Sequence, residues 1–402
     1  MAAESSGLAG GGTALLVESF PAELEAHLIG LRRDLHRRPE LSLTEHATAA
    51  RLEQELARLE PAKLERVAGT GVVARIRGRD SSRPWVALRG DIDALPIEEA
   101  TGLPFASEVP GVMHACGHDV HAAWAVGAAT LLASRPAAGD VVILLQPAEE
   151  LAQGALALMA AGALDRVAVI FGAHVDRRFE VGRVVASAGP MAASSDAFEI
   201  ELLGAGGHGA RPQEARDPIV GAAAVIQALQ TILSRRLAPG RAGVITIGKI
   251  AAGTASNVIP DRANLWGTLR ATCQEDRDFL CDELVQVATA CAASYGLEAQ
   301  IRFLDRTPPL VNSAQPADWA QAAVERVLGR QALAELSGPN MAGEDFAFYL
   351  ERVPGCFLRI GVREPGGSFI STHSPHFRVD EGALAVGAAV LAEAARVASE
   401  AL

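Results

Sequence analysis

Residues 141–150 read Val-Val-Ile-Leu-Leu-Gln-Pro-Ala-Glu-Glu. The five apolar residues predict a buried strand, and Pro147 predicts the turn that ends it. Two adjacent carboxylates, Glu149 and Glu150, follow this turn. Ligands and catalytic groups gather at the carboxyl ends of the strands in an α/β sheet. The stretch therefore predicts both the class of the fold and the edge of the sheet that carries a functional site.

Alternating strands and helices surround this stretch. Leucines at three- and four-residue spacing from Leu24 to Leu35 predict one helix, and a second is expected from Thr44, its N-cap, to Leu59. An Ala-rich stretch at residues 118–133 predicts another helix. Apolar runs predict strands at residues 71–76, 85–88, 141–145 and 169–173. This alternation favours an α/β sheet with helices on both of its faces.

The pattern changes near residue 190, where residues 197–203 alternate apolar and polar side chains as a half-exposed strand does. Further strands are expected at residues 243–250, 263–270 and 298–303, with helices at 218–235 and 274–295. The resulting β-α-β-β-α-β order is typical of a ferredoxin-like domain. We therefore predict a flexible tail, the first part of a catalytic domain, an inserted domain and the second part of the catalytic domain at residues 1–20, 21–189, 190–306 and 307–402.

Composition narrows the class of protein further. The 402 residues carry a net charge of −12, which argues against binding a nucleic-acid backbone. Five scattered cysteines form no CxxC pair, which is typical of reduced thiols in a cytoplasmic protein. The N-terminal stretch lacks the basic region of a signal peptide, and no run of 18 apolar residues predicts a membrane span.

Four short segments concentrate side chains that bind metals. Cys116 and His118 lie two residues apart, a spacing that aims both the same way from an extended loop. Taken alone, the Cys116/His118 pair favours a buried cysteine beside a helix-capping histidine by roughly two to one. The Glu149–Glu150 pair, taken alone, fits a helix cap and a functional site equally well. His174 follows an apolar run, with Asp176 as a candidate hydrogen-bond acceptor. In the last segment the chemistry does not choose between two histidines: His373 and His376.

The order of the motifs resembles a known family. The chain has no G-x-S-x-G, P-loop or H-E-x-x-H motif. From residue 31 to residue 377 it is similar to the aminoacylase/carboxypeptidase superfamily of metallohydrolases, and most similar to the group of hippurate hydrolase and indole-acetyl-amino-acid hydrolase. The resemblance lies in LRRDLHRRPELS, RGDIDALPI, MHACGHDVH, LLQPAEE, GAHVD, GGHGARP, SNVIPDRANLWGTLR, MAGEDFAFYL and HSPHF.

The resemblance implies a fold and a set of functional residues. The fold would be a di-metal, aminopeptidase-like α/β catalytic domain with an inserted ferredoxin-like α+β lid that also dimerises. Glu149 would be the general acid/base, and His208 would polarise the scissile carbonyl, often across a dimer interface. Substrate contacts would come from Asn257 and Arg270. The metal ligands implied are Cys116, His118, Glu150, His174 and His373.

Other residues near these motifs are left open by the sequence. Asp91 and Asp93 fit support for the metal ligands, or a turn and a helix cap, about equally well. His114 and His121 lie close to the ligand motif without a defined role.

The resemblance also implies the reaction. Two divalent ions per subunit, of zinc, manganese, cobalt or nickel, would activate a water that attacks the amide of an N-acyl amino acid. The products would be a carboxylic acid and a free amino acid, and the enzyme would be a homodimer or a dimer-based oligomer. An alternative keeps the same site for a dipeptide, a carbamoyl amide or a succinyl amide. A non-enzymatic relative should lack some of these residues, and all of them are present.

Overall fold

A computed structural model of the protein describes residues 19–402. Over this range the strands, numbered along the chain, form a largest sheet in the order β1 (Lys63–Val67), β2 (Gly71–Ile76), β4 (Val141–Gln146), β3 (Trp85–Asp91), β5 (Val167–Glu180), β15 (Gly355–Arg363) and β6 (Val184–Val185). Its centre is parallel, because β3 pairs with both β4 and β5, and β5 pairs with β15. The strands at each side pair antiparallel. This mixed sheet, called the central sheet below, confirms the predicted α/β class.

The strands of the described residues are β1 Lys63–Val67, β2 Gly71–Ile76, β3 Trp85–Asp91, β4 Val141–Gln146, β5 Val167–Glu180, β6 Val184–Val185, β7 Gly189–Ala192, β8 Ser195–Leu203, β9 Gly207–His208, β10 Gly243–Ala252, β11 Val258–Ile259, β12 Arg262–Ala271, β13 Glu298–Thr307, β14 Leu310–Asn312 and β15 Gly355–Arg363. The α-helices are α1 Ala22–Arg37, α2 His46–Ala57, α3 His118–Ser134, α4 Gly154–Ala160, α5 Pro218–Thr231, α6 Gln274–Ser294, α7 Ala314–Leu328, α8 Phe346–Leu350 and α9 Ala383–Ala401.

Helices cover both faces of the central sheet. One face packs against α1, α2, α3, α7 and α9, and the other packs against α4 and α8. The helix α3 is buried around almost its whole circumference, because it lies between the sheet and α9. Gly387 of α9 lets the two helices approach closely, since a Cβ there would lie 2.3 Å from the Trp124 ring. The apolar strands and Ala-rich helices therefore form a sheet with a close-packed layer on each face.

A second, antiparallel sheet lies between β7 and β14 along the chain. Its strands lie in the order β10-β12-β8-β13, and α5 and α6 pack on it. This is the spatial order of a ferredoxin-like fold, as the sequence predicted. The sheet, called the small sheet below, has its own apolar core, which includes Phe198, Leu229 and Leu284.

One helical segment has the length and composition of a membrane span. Over residues 19–402 the segment Pro218–Arg236 is apolar and long enough to cross a bilayer. Its residues Ala222, Val225 and Leu229 are buried in the core of the small sheet. A helix that packs in the core of a soluble protein passes the same test of length and composition.

Several local predictions differ from the structure. The N-cap of α2 is Glu45, because the Thr44 hydroxyl donates to the carbonyl of Leu41 instead. The apolar run that ends before His174 is only part of β5, which continues to Glu180 beside β15. The predicted tail lies outside the described residues except for its last two. Of these, Phe20 packs against the core.

Candidate metal centre

The predicted ligands meet at the carboxyl edge of the central sheet. A cavity of about 460 Å³ opens there, between this edge and the small sheet. Its lining residues are Cys116, Glu149, Glu150, Ala152, His174, Ala192, Ser195, Arg270, Thr307, Asn340, Ala342, Gly343, Glu344, Asp345, Arg359, Thr372 and His373. The loops after β3 and β4 and the strand β5 therefore converge on one polar cavity, as an α/β sheet predicts.

Cys116 and His118 converge by a different route from the one predicted. They do not lie on an extended loop, because His118 is the first residue of α3. Gly117 between them has φ +87°, a left-handed conformation that only glycine adopts readily. A Cβ at Gly117 would also lie 2.8 Å from Val175. The glycine therefore makes the turn that brings the thiol and the imidazole to the same place.

His174 presents one defined nitrogen to the cavity. Its Nδ1 donates to the carbonyl of Val175 at 2.8 Å, so its Nε2 carries a lone pair. That Nε2 lies 3.4 Å from Sγ of Cys116. The prediction that Asp176 accepts from His174 is wrong, because this carboxylate binds Arg178 and Arg359 instead.

The turn after β4 places Glu150 beside two of the candidate histidine ligands. Ala148 before them has φ +51°, and its N–H donates to the buried carboxylate of Glu45, which holds the turn. Oε1 of Glu150 lies 3.4 Å from Nε2 of His373 and 3.9 Å from Nε2 of His118. The backbone N–H of His373 donates to the carbonyl of Ala115, which brings the C-terminal loop beside the α3 ligands.

These atoms form two overlapping groups with the spacing of metal ligands. One group joins Cys116, His118 and His174, and the other joins Cys116, Glu150 and His373. In each, the donor atoms lie within 4.8 Å of one another. Within residues 19–402, Nε2 of His118 and Oε1 of Glu150 are buried and have no hydrogen-bond partner. Sulfur, imidazole and carboxylate donors gathered at one place, with the His118 and Glu150 atoms unpaired, fit divalent cations.

The thiol of Cys116 is buried beside a carboxylate, which disfavours its ionised form. Burial, together with the carboxylate of Glu150, raises the pKa of the Cys116 thiol to about 12. A thiolate is the form that binds metals, and a nearby cation favours its formation. The thiol of Cys116 therefore needs a cation beside it to lose its proton and act as a metal ligand.

Asp91 and Asp93 hold the histidines around this centre. Asp93 accepts from Nδ1 of His118 at 3.1 Å and from the backbone N–H of Glu150 at 3.1 Å. Asp91 accepts from Nδ1 of His121 at 2.6 Å, while Nε2 of His121 accepts from the N–H of Val175. The two aspartates therefore fix the tautomers of two histidines, and the sequence alternatives of a turn and a helix cap do not apply.

A buried ionic network lies behind Glu149. Arg89 is fully buried and pairs with Asp91, with Glu344 at 3.1 Å and with Asp345 at 2.8 Å. Burial raises the pKa of Glu149 well above its usual range, and the nearby carboxylates of Glu344 and Glu150 raise it further. The motif MAGEDFAFYL predicted no functional residue. Its adjacent acids Glu344 and Asp345 were the feature of the sequence that could have indicated this network.

The structure does not bring all the predicted residues to the cavity. Arg270 lines it, and its Nη1 donates to the carbonyl of Met341 at 3.0 Å. His208 of β9 and Asn257, in the turn just before β11, are exposed beside the small sheet and do not line the cavity. His376 is also exposed and bonds to the carbonyl of Ala100. His114 is buried, and burial lowers its pKa to about 4.

A mixed α/β sheet with paired ligand groups at its carboxyl edge defines a class of metallohydrolase. Comparison with known sequences identifies the family. Residues 87–397 match Peptidase family M20/M25/M40, and the chain belongs to this family. The membership confirms the predicted superfamily and the hydrolase class.

Named relatives and solved structures match nearly the whole chain. N-acetylcysteine deacetylase of Bacillus subtilis is 40% identical over 93% of this chain and 97% of its own length. IAA-amino acid hydrolase ILR1-like 4 of Arabidopsis thaliana is 38% identical over 92% and 84%. The YXEP protein of B. subtilis, described as a dinuclear metal-binding peptidase, has a TM-score of 0.85 and 37% identity, covering 95% of this chain and 100% of that one.

Proposed function

We propose that this protein hydrolyses the amide bond of N-acyl amino acids and releases a carboxylic acid and a free amino acid. The observation that carries the proposal is that Glu149 lies beside the two ligand groups, and that every member of these groups except the buried His118 lines one cavity with it. Relatives named as a deacetylase of N-acetylcysteine and a hydrolase of IAA-amino acids support the substrate class.

The proposed ligands are Cys116, His118, Glu150, His174 and His373, and their donor set suits zinc, manganese, cobalt or nickel. When bound, such ions supply a Lewis acid for the amide carbonyl and lower the pKa of a nearby water. Asp93 holds His118 and the backbone of Glu150 in place for this purpose.

Glu149 is the proposed proton carrier. It lines the cavity, and its Oε2 lies 3.9 Å from Nε2 of the ligand His118. As water attacks the carbonyl carbon, Glu149 accepts a proton, and it then delivers that proton to the nitrogen of the leaving amine. Its raised pKa suits the second step, because a carboxyl group that holds its proton more tightly is present as the acid when the C–N bond breaks.

The substrate carboxylate is assigned to Arg270, whose guanidinium lines the cavity. We assign His208 to the carbonyl oxygen and Asn257 to the substrate, as the family resemblance implies. Because both are exposed on the same chain, we propose that they act in a homodimer, in which His208 of one subunit serves the other subunit's cavity. The five cysteines are all free, which supports the cytoplasm as the compartment.

A panel of substrates with metal-reconstituted protein tests the proposal. We expect hydrolysis of N-acetyl or N-benzoyl amino acids, with metal content measured on the same sample. Faster turnover of dipeptides, carbamoyl amides or succinyl amides would change the proposed substrate class and leave the proposed metal site unchanged. Inactivity on all of them at full metal occupancy would refute the proposed function.

A further inference from the structure

The cavity contains a cation that the proposed reaction does not use. Arg359 lies in β15, directly opposite His174 of β5, and lines the cavity with Arg270. It interrupts the otherwise apolar stretch Cys-Phe-Leu-Arg-Ile of this strand. Its side chain is 13% exposed, so its charge is held mostly out of water. A buried charge is costly unless it is paired, so the partners of Arg359 decide how stable its charge is.

Among the residues that the structure describes, Arg359 has one carboxylate partner, Asp176, which it contacts at the limit of hydrogen-bond distance and shares with Arg178. Its Nε lies 3.4 Å from Oδ2 of Asp176. The same carboxylate already receives Nε and Nη2 of Arg178, at 3.0 Å and 2.6 Å. Across residues 19–402 neither Nη atom of Arg359 has a hydrogen-bond partner. Two guanidinium groups therefore share one carboxylate, and one positive charge remains uncompensated at the cavity.

The remaining acids of the cavity do not compensate this charge. Glu344 and Asp345 bind Arg89. Glu149 and Glu150 are committed to the proposed proton transfer and to the metal ions. Arg270 binds a backbone carbonyl and has no carboxylate partner in the described part of the chain. The cavity thus offers two guanidinium groups to its substrate, whereas a simple N-acyl amino acid carries one carboxylate.

We infer that Arg359 selects N-acyl amino acids that carry a second carboxylate. This inference rests on the proposed function. The second carboxylate can belong to a dicarboxylic acyl group or to an acidic amino-acid side chain. In either case Arg359 binds it while Arg270 binds the α-carboxylate, and both cations of the cavity become paired.

Isosteric pairs of substrates test the inference. One pair is N-succinylglycine and N-succinamoylglycine, which places the carboxylate in the acyl group. The other is N-acetylglutamate and N-acetylglutamine, which places it in the side chain. In one of the two pairs we expect the acid to have a kcat/KM about 10- to 100-fold above that of the amide, and the responding pair identifies the location of the carboxylate.

Two variants separate binding from structure. Arg359→Met should reduce the preference for the acid by about 10- to 100-fold, mainly through KM, with unchanged metal content. Arg363→Met is the matched control, because it removes another arginine of β15 that lies outside the cavity lining. It should leave the preference unchanged.

Three outcomes overturn the inference. The first is the absence of any preference in both pairs. The second is an equal loss on acid and amide in Arg359→Met, and the third is the same change of preference in Arg363→Met. Hydrolysis of the amides without preference for the acids removes this inference alone. Inactivity on every N-acyl amino acid removes the proposed function as well, so the two failures are distinguishable.

Discussion

Two regions supply the residues of the proposed reaction. The edge of the central sheet carries the proposed metal ligands, and an exposed surface beside the small sheet carries His208 and Asn257. The proposed ligands around Cys116 all lie within one chain: Cys116, His118 and His174 are buried, Glu150 is half-buried and His373 is exposed. His208 and Asn257 are exposed and lie outside the cavity lining. The difference separates a proposed metal centre whose ligands lie within one chain from a proposed carbonyl-polarising residue that lies outside the cavity lining, and our proposal of a homodimer rests on this separation.

The largest effect is expected at Glu149. Glu149→Gln keeps the shape of the side chain but removes the proton carrier, so kcat should fall by about 10²–10⁴-fold. Metal content, measured by elemental analysis, should not change. Glu150→Gln is the matched control, because the neighbouring residue is a proposed ligand and its loss should lower metal content too. Retained turnover in Glu149→Gln would exclude its role.

The sharing of Cys116 between two ligand groups predicts an unequal loss of metal. Cys116→Ser should remove most of both ions and with them the activity, because both groups lose a donor. His373→Ala should remove roughly half of the metal, because it belongs to one group. Equal metal content in the two variants would show that the thiol does not belong to both sites.

Arg89 should be the most costly ion-pair partner to remove. Arg89→Met leaves Asp91, Glu344 and Asp345 buried without their cation, so the free energy of unfolding should fall by about 3–5 kcal/mol. Chemical denaturation measures this change.

The matched control for Arg89 lies on the small sheet. Arg302→Met removes an exposed pair with Glu199, which should cost less than about 1 kcal/mol. A comparable cost for the two variants would contradict the contrast drawn between the buried edge of the central sheet and the exposed small sheet.

His208 should affect catalysis and leave stability nearly unchanged. His208→Ala should lower kcat by about 10²–10³-fold, as the loss of one donor to a developing oxyanion does. Its melting temperature and metal content should match the wild type, because the side chain is exposed and remote from the ligands. If mixing the His208→Ala and Glu149→Gln variants restores activity, His208 of one subunit acts in the cavity of the other subunit. An absence of any restoration in verified mixed dimers would place His208 in its own subunit's site.

Much of the fold was predictable because its signals are local. Apolar runs such as residues 141–145 form strands wherever they are buried, and β4 begins and ends within one residue of the prediction. The ligand motifs were predictable because their residue types are rare together. Arg359 and Glu344 were not assigned a role, since an arginine in a strand or an acid in a loop has many explanations until its neighbours are known.

By itself the sequence determined the α/β class and the ferredoxin-like order near residue 200, because both depend on patterns within short segments. The set of candidate ligands came from the family resemblance of its motifs. Tertiary structure alone decided which atoms meet. It placed the sulfur of Cys116 in both ligand groups and gave Asp176 to two arginines instead of His174. It also left His208 outside the cavity. The physical reason is that ligand spacing and charge pairing depend on distances between strands far apart in the chain, which residue patterns do not specify.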